Sequence, residues 1–495
     1  MKIYKVVLFL ITLNLGVYAE PAKHTLLPNY MINYDKSPSS VENLSEMLSE
    51  GMLYGRLRTN WFFYEYEDDN ILQESHNILG LGGSLLYKTA SYSGFSAMVG
   101  AYYTSAGAGL DNHPSSVALL KAGKDTISRY NSITGSGSSY ATLAQAYLEY
   151  QYSDLKTRVG RQIFNSFFTK SNDSKMIPNT FEGFTLESEN FYKTRIKLAY
   201  LTRQKLRDHD SFHSVIMYDN SNKSTFTQWN GNDDSAVHRG LNTINFRKIS
   251  QEENPALIVL DAQTKGVMTE ELKLSTSLLY LEDLFITAMV ELNYRIDLGS
   301  GYILTPGLRY VQQFDEGAGE IGGASLSGLA ASDANGGTAS VRGSYTDPSS
   351  VDSYMTAARL VLKKDAGSVS LGYTQIADEA DFITPWRGFI TSGYTRAMAR
   401  YNWLANTKTV RLRGSYYFSG AGLADGLKTY ASITHENYDD KKVFAKDANV
   451  YYAGLIKDIQ EVPNLSCRLR TEYVEQVAGL TNDHAELRME LNYLF

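Results

Sequence analysis

From about residue 53 to its end this sequence keeps returning to one pattern, apolar and polar side chains in strict alternation, and that period admits few folds. In the last stretch Ala485, Leu487, Met489, Leu491, Tyr493 and Phe495 alternate with Glu486, Arg488, Glu490, Asn492 and Leu494. A period of two sends the first set to one face of a sheet and the second to the other. An edge strand on a soluble core would alternate in the same way. A final strand that runs to an aromatic residue favours a bacterial outer-membrane barrel instead.

The other end of the chain points the same way. Lys2 and Lys5 precede an apolar run from Val6 to Leu15, and Val17, Tyr18 and Ala19 supply a small-residue cleavage site. Residues 1–19 are therefore expected to be a signal peptide, too short to span a bilayer as an anchor. Beyond Ala19 no run of about 18 apolar residues occurs, the length a spanning helix needs. Residues 20–50 are polar, with Val41, Leu44, Met47 and Leu48 at helical spacing, and are expected to form a periplasmic lead-in or small plug. Residues 51–495 are expected to form the barrel.

Composition agrees with this division. The 36 Tyr, 20 Phe and 4 Trp suit a protein whose rings sit between lipid and headgroups. A mean hydropathy of -0.28 is too polar for a helical membrane protein and ordinary for a barrel with a wet lumen. Cys467 is the only cysteine, so no internal disulfide forms, and it is expected to be buried or lipid-facing. Loss of Lys2 and Lys5 with the leader takes the net charge from -7 to -9, which argues against nucleic acid as a partner.

The first alternating strand places Leu53, Gly55, Leu57, Thr59, Trp61 and Phe63 on one face and Tyr54, Arg56, Arg58, Asn60 and Phe62 on the other. Similar runs recur near 76–90, 94–105, 140–152, 155–163, 182–203, 256–263, 270–313, 353–376, 389–418, 426–438, 448–460, 464–476 and 484–495. Some are long enough to hold two strands. Tight turns are expected at Ser91–Gly94, Ser153–Asp154, Asp297–Gly301 and Lys364–Gly367, and long loops at 106–139, 204–255, 314–352 and 377–388. Short periplasmic turns alternating with long extracellular loops are a barrel habit, and about 26 residues per strand and connection gives about 18 antiparallel strands, within a range of 16 to 20. No fixed repeat supports a propeller or solenoid.

Basic residues fall repeatedly on the polar faces. Alternation turns Arg56, Arg58, Lys156, Arg158, Lys193, Arg195, Lys197, Arg309, Arg359, Arg411, Arg413, Arg468 and Arg470 inward. Two readings stay open. Wet positions tolerate charge, and Glu149, Glu291, Glu472, Glu486 and Glu490 are available to pair with these cations. Alternatively the cations form a ladder along which an anion or carboxylate is passed.

Between the strands near 155–163 and 182–203 lies Asp173, Ser174, Lys175, Met176, Ile177 and Pro178, followed by Thr180, Phe181 and Gly183. This run resembles the third loop and following strand of the OprD family of outer-membrane porins, where Asp-Ser-basic-apolar-apolar-Pro precedes Thr, an aromatic and Gly. The first strand, with Arg56, Arg58 and its aromatics, is similar too. The resemblance implies an 18-stranded barrel, monomeric or loosely trimeric, with the third loop folded inward. Phe168, Asp173, Ser174, Lys175 and Met176 would then form the constriction. It also implies that outer-membrane assembly machinery reads Leu491, Tyr493 and Phe495. The long glycine-rich loops at 106–139 and 314–352 depart from the family pattern, so substrate identity stays open.

Other chemistry is not expected. His209, Asp210, His213, Asp233, Asp234 and His238 match no zinc spacing and read as a solvated loop. Asp378, Glu379 and Asp381 read as a solvated acidic tip, with folding toward the basic wall as the alternative. No Ser–His pairing of an outer-membrane lipase is legible, so no catalytic residue, metal or cofactor is expected. The chain reads as an exported outer-membrane porin for passive diffusion of small hydrophilic, preferentially anionic or zwitterionic solutes. The alternative is an adhesin or structural anchor displaying loops on a barrel. Its expected partners are membrane lipid, small solutes and the assembly machinery.

Overall fold

The structure, a computed structural model, describes residues 24–27, 31–68, 75–108, 137–171, 176–216, 238–249, 254–266, 269–328, 344–384, 386, 388–398, 400–442, 446–477 and 483–495. The expected leader, Asp173 to Lys175, and Asp233 and Asp234 lie outside these residues.

Eighteen antiparallel strands close into one barrel, as the alternation requires. The first nine are β1 Met52–Tyr66, β2 His76–Lys88, β3 Phe95–Ala108, β4 Tyr140–Tyr152, β5 Leu155–Gln162, β6 Thr180–Phe191, β7 Thr194–Lys205, β8 Leu257–Lys265 and β9 Leu272–Leu281. The others are β10 Phe285–Tyr294, β11 Tyr302–Asp315, β12 Ser353–Lys364, β13 Gly367–Ile376, β14 Lys408–Tyr417, β15 Leu427–Asn437, β16 Ala448–Ile459, β17 Leu465–Gln476 and β18 His484–Leu494. Each pairs with its successor, and β18 closes on β1 from His484↔Tyr66 to Leu494↔Arg56. Closure leaves no edge strand, the condition for a sheet to cross a membrane.

The terminal residue takes part in closure. Gly55 N–H donates to the Phe495 carbonyl at 2.9 Å and Phe495 N–H returns the bond at 3.1 Å. A Cβ on Gly55 would lie 2.2 Å from the Phe495 ring, so glycine makes the room that the last aromatic occupies.

One end of the barrel carries only short connections, including the expected turns at Ser153–Asp154 and around Asp365. Lys193 belongs to this end. With Tyr192 it forms a tight turn at a φ of 64°, exposed at the rim and off the inner wall where alternation put it. At the same end Thr25–Leu26 pairs with Ile32–Asn33, and Asn43 caps the short helix α1 Leu44–Ser49 by accepting from Glu46 N–H. This segment lies against the inner wall, where the Tyr54 hydroxyl donates to the Lys36 carbonyl at 2.7 Å.

The two faces sort as the period demands. Leu148, Val159, Leu308, Leu412 and Ile433 are exposed on the outer surface, while Arg56, Glu149, Arg309, Arg411 and Glu472, one residue out of phase, point inward. Cys467 sits half-buried in the outward row of β17.

Candidate functional site: a lumen narrowed by two inward loops

Loop 3, residues 163–179 between β5 and β6, turns into the barrel. Phe164, Phe168, Met176 and Ile177 are buried, which removes from water a set of side chains too apolar for an outward loop. The wall holds its backbone at several points. Asp261 accepts from Phe167 N–H at 2.9 Å, Lys197 donates to the Asn165 carbonyl at 2.7 Å, and Arg58 donates to the Met176 carbonyl at 2.9 Å.

A second loop joins it. Residues 389–407, expected as the first half of a strand, instead belong to loop 7, residues 377–407 between β13 and β14. The misreading has a physical cause. Phe389, Ile390, Tyr394 and Trp403 supply apolar density that resembles a strand, yet they pack with Trp386 against Phe164 and Phe168 in one buried cluster. Loops 3 and 7 touch directly: Lys170 N–H donates to the Trp386 carbonyl at 2.9 Å, and a Cβ on Gly388 would lie 2.0 Å from the Phe168 carbonyl oxygen.

The acidic tip also differs from expectation. Asp378 is exposed and pairs with Lys442 at 2.6 Å, but Asp381 is only 2% exposed. Its carboxylate accepts from Ala405 N–H at 2.7 Å, Leu326 N–H at 2.9 Å and the Tyr345 hydroxyl at 3.1 Å. Burial pushes its pKa up to about 6 against those donors. It braces loop 7 instead of solvating a tip. The loop histidines are likewise buried. His209 Nδ1 lies 2.7 Å from His213 Nε2, because the stem of loop 4 folds onto loop 3, with Asn179 accepting from Arg207 N–H at 2.8 Å. His238 is buried and donates to the Gly323 carbonyl at 2.7 Å. No group of three His, Cys, Asp or Glu side chains able to hold a metal occurs among the described residues.

The thirteen basic residues of the sequence reading separate into groups. Arg158 pairs with Glu149 at 2.7 Å, Arg195 with Glu189 at 2.9 Å and Arg470 with Glu490 at 2.7 Å, and Arg468 also pairs with Glu490. Arg56 donates twice to the Asn492 side chain, at 2.9 and 2.7 Å. Arg309 pairs with Glu291 through Nε at 2.7 Å and gives its other nitrogens to Glu291 and to the Ile390 and Ser392 carbonyls of loop 7, both at 2.8 Å. Arg359 reaches Gly393 of loop 7 at 3.0 Å and Glu291 at 3.7 Å. Arg58 and Lys197 hold loop 3. Lys156 stands opposite Glu187 in register on the inner face of β5.

Arg411 and Arg413 stand apart. Their register neighbours on β13 and β15 are Gly372 and Thr434, and Ser370 and Ser432. Arg413 lies 5.1 Å over the Tyr430 ring, Arg411 donates to the Arg396 carbonyl, and neither has a carboxylate partner among the described residues.

Three basic residues that the sequence reading did not single out sit on loops 3 and 7, two of them in the stretch misread as a strand. Arg400 of loop 7 pairs with Glu436 at 2.6 Å. Arg396 lies 3.1 Å over the Phe389 ring. Lys170 of loop 3 donates to the Ser166 carbonyl at 2.6 Å. Burial holds the Lys170 pKa down to about 8; Lys197, Arg309 and Arg396 push in the same direction while Asp261 opposes them.

The features described so far are an 18-stranded barrel and, among the described residues, loops folded into a lumen lined by arginine. Residues 88–239 match the model of the outer membrane porin, OprD family, a range that contains the Asp173–Gly183 run on which the resemblance was read. Solved structures share the fold. Pseudomonas aeruginosa OccK3 (OpdO) is 17% identical with a TM-score of 0.61, covering 91% of this chain and 97% of its own. P. aeruginosa OpdK with vanillate is 13% identical at 0.64, covering 91% and 99%. Acinetobacter baumannii OccAB3 is 14% identical at 0.67, covering 90% and 100%. No curated protein matches the sequence. The chain therefore shares the fold of these barrels over about nine-tenths of its length, and residues 88–239 are similar to the OprD family of outer membrane porins.

Proposed function

We propose that the channel passes small hydrophilic solutes by passive diffusion and favours those with a carboxylate or other anionic group. The observation that carries this reading is the wall formed by β13 to β15, where Arg411 and Arg413 are on the inner face among Ser370, Ser432, Gly372 and Thr434, with no carboxylate paired to them among the described residues. Fixed positive charge in a narrow wet passage raises the local concentration of anions and repels cations. A guanidinium with uncommitted donors also offers a forked site for a carboxylate. Where loops 3 and 7 meet the wall, Lys170 also lies within electrostatic reach of Lys197, Arg309 and Arg396, with Asp261 opposing them. The similar structures OpdK and OccK2 (OpdF) were solved with vanillate and in complex with glucuronate, both carboxylates, which supports the reading.

The test is the reversal potential of the purified protein in planar bilayers across a salt gradient. Anion selectivity at low salt that fades as salt rises is expected. Cation selectivity, or no channel activity from a correctly folded barrel, would overturn the reading, the latter in favour of a display scaffold.

A further inference from the structure

A groove of about 820 Å³ crosses the barrel's outer surface between β11 and β17. That volume lies within the roughly 300–1,000 Å³ typical of ligand sites. Its position follows from phase. Val369, Leu412 and Ile433 are exposed outward residues, and register carries their row parity to Gly414, Ala431, Ala453 and Thr471. These four small side chains lie side by side across four strands and form the floor. A Cβ on Gly414 would meet nothing within 4 Å, so the floor is open above it. Leu362, Tyr416, Leu455 and Leu469 form the walls.

The groove runs to the end of the barrel with the short turns, which in a porin faces the periplasm. There Lys364, the last residue of β12, places its ammonium 4.3 Å over the Tyr302 ring and 3.2 Å from the Tyr302 hydroxyl. Among the described residues no carboxylate pairs with it. A cation and a tyrosine at the rim of a lipid-facing surface mark headgroup level.

We propose that this groove is a site for an anionic glycerophospholipid of the periplasmic leaflet, its phosphate at Lys364 and an acyl chain over Gly414, Ala431 and Ala453. Charge decides between this occupant and a second copy of the barrel. A convex neighbouring wall of leucine and valine would leave the Lys364 charge at the joint, whereas a lipid phosphate neutralises it while its tail fills the apolar trench.

The test uses the full barrel in detergent, incubated with phosphatidylglycerol or phosphatidylcholine and read by native mass spectrometry. Wild type is expected to retain phosphatidylglycerol over phosphatidylcholine by about fivefold, the worth of one lysine at an anionic surface. Lys364→Gln is expected to erase that preference. Gly414→Leu with Ala431→Leu is expected to lose both lipids, with heat-modifiable migration showing that the barrel is still folded. Equal retention of both lipids by wild type, or unchanged retention by the filled variant, would overturn the proposal. So would a wild-type dimer that the filled variant dissociates regardless of lipid, since it assigns the groove to a second copy. If the filled variant does not fold, the Lys364→Gln comparison alone decides.

Discussion

Two stretches of the inner wall carry the same residue type and use it differently. On β10 to β12, Arg309 is consumed: Glu291 takes one side of the guanidinium, two loop 7 carbonyls take another nitrogen, and its flat faces lie 4.6 Å from Phe167 and 4.3 Å from Tyr394. Arg359 behaves likewise at Gly393 and Glu291. On β13 to β15, among the described residues, Arg411 gives one nitrogen to a carbonyl while its Nε has no hydrogen-bond partner, and Arg413 lies over a ring face. The difference lies in the neighbours. Where a register row supplies a carboxylate and a loop end, an inward arginine becomes a clamp; where it supplies Ser, Thr and Gly, no neighbouring strand residue takes up the charge.

The strongest way to break this comparison is to remove the clamp. Glu291→Ala leaves Arg309 with no counter-charge, and losing one member of a buried pair costs about 3–5 kcal/mol. The expected outcome is a lower urea midpoint for unfolding from detergent together with noisy, enlarged channel currents as loop 7 comes loose. An unchanged midpoint and quiet currents would mean that the pair holds nothing. Gly388→Val acts next, and on the loops alone. Its Cβ would press on the Phe168 carbonyl, which is backbone and moves only if loops 3 and 7 separate. Single-channel conductance should rise and solute discrimination weaken with the barrel intact, as should follow from deleting Ser171 to Lys175. Wild-type conductance in both variants would put the narrowest point elsewhere.

How much of this was legible in the sequence depends on which residues carried a period. The strands were, because one wet and one lipid face force an alternation that Leu412, Arg413 and Gly414 display residue by residue. The inward fold of loop 3 was implied by the resemblance of the Asp173–Gly183 run, and the burial of Phe164, Phe168 and Met176 gives its physical reason. Loop 7 was not, because Phe389 to Trp403 has the density of a strand and only its contacts with loop 3 show that it is a filler. The cations were placed on the correct face, except for Lys193 in its turn. Which were clamps was hidden, since Arg309 and Arg413 look alike until the partners across the sheet are known. Lys170, Arg396 and Arg400 had no signal at all.

Neutralising the open wall sharpens the comparison with a smaller effect. A unit charge about 8 Å from a permeating ion is worth about 0.5 kcal/mol in water, a factor of about two in relative permeability. Arg411→Gln and Arg413→Gln should each lower the anion-to-cation ratio by about that factor at low salt, the shift shrinking as salt rises. Removing the Arg158–Glu149 pair together, as Arg158→Gln with Glu149→Gln, leaves the net charge unchanged and should move it less. Equal shifts from the paired and the carboxylate-free arginines would erase the distinction between the two walls.

The smallest effect separates loop from wall by pH. Burial and neighbouring cations bring the Lys170 ammonium down to about 8. A lowered lysine is charged below that value and neutral above it, so raising the pH from 7 to 9 removes one positive charge from loop 3. Anion selectivity at low salt should therefore decline across that interval, by no more than the factor of about two that one charge supplies. Lys170→Met should start at the lower value and stay flat. If Lys170→Met keeps the wild-type slope, the titrating charge lies elsewhere, and the positive potential at the loop 3 constriction does not depend on Lys170.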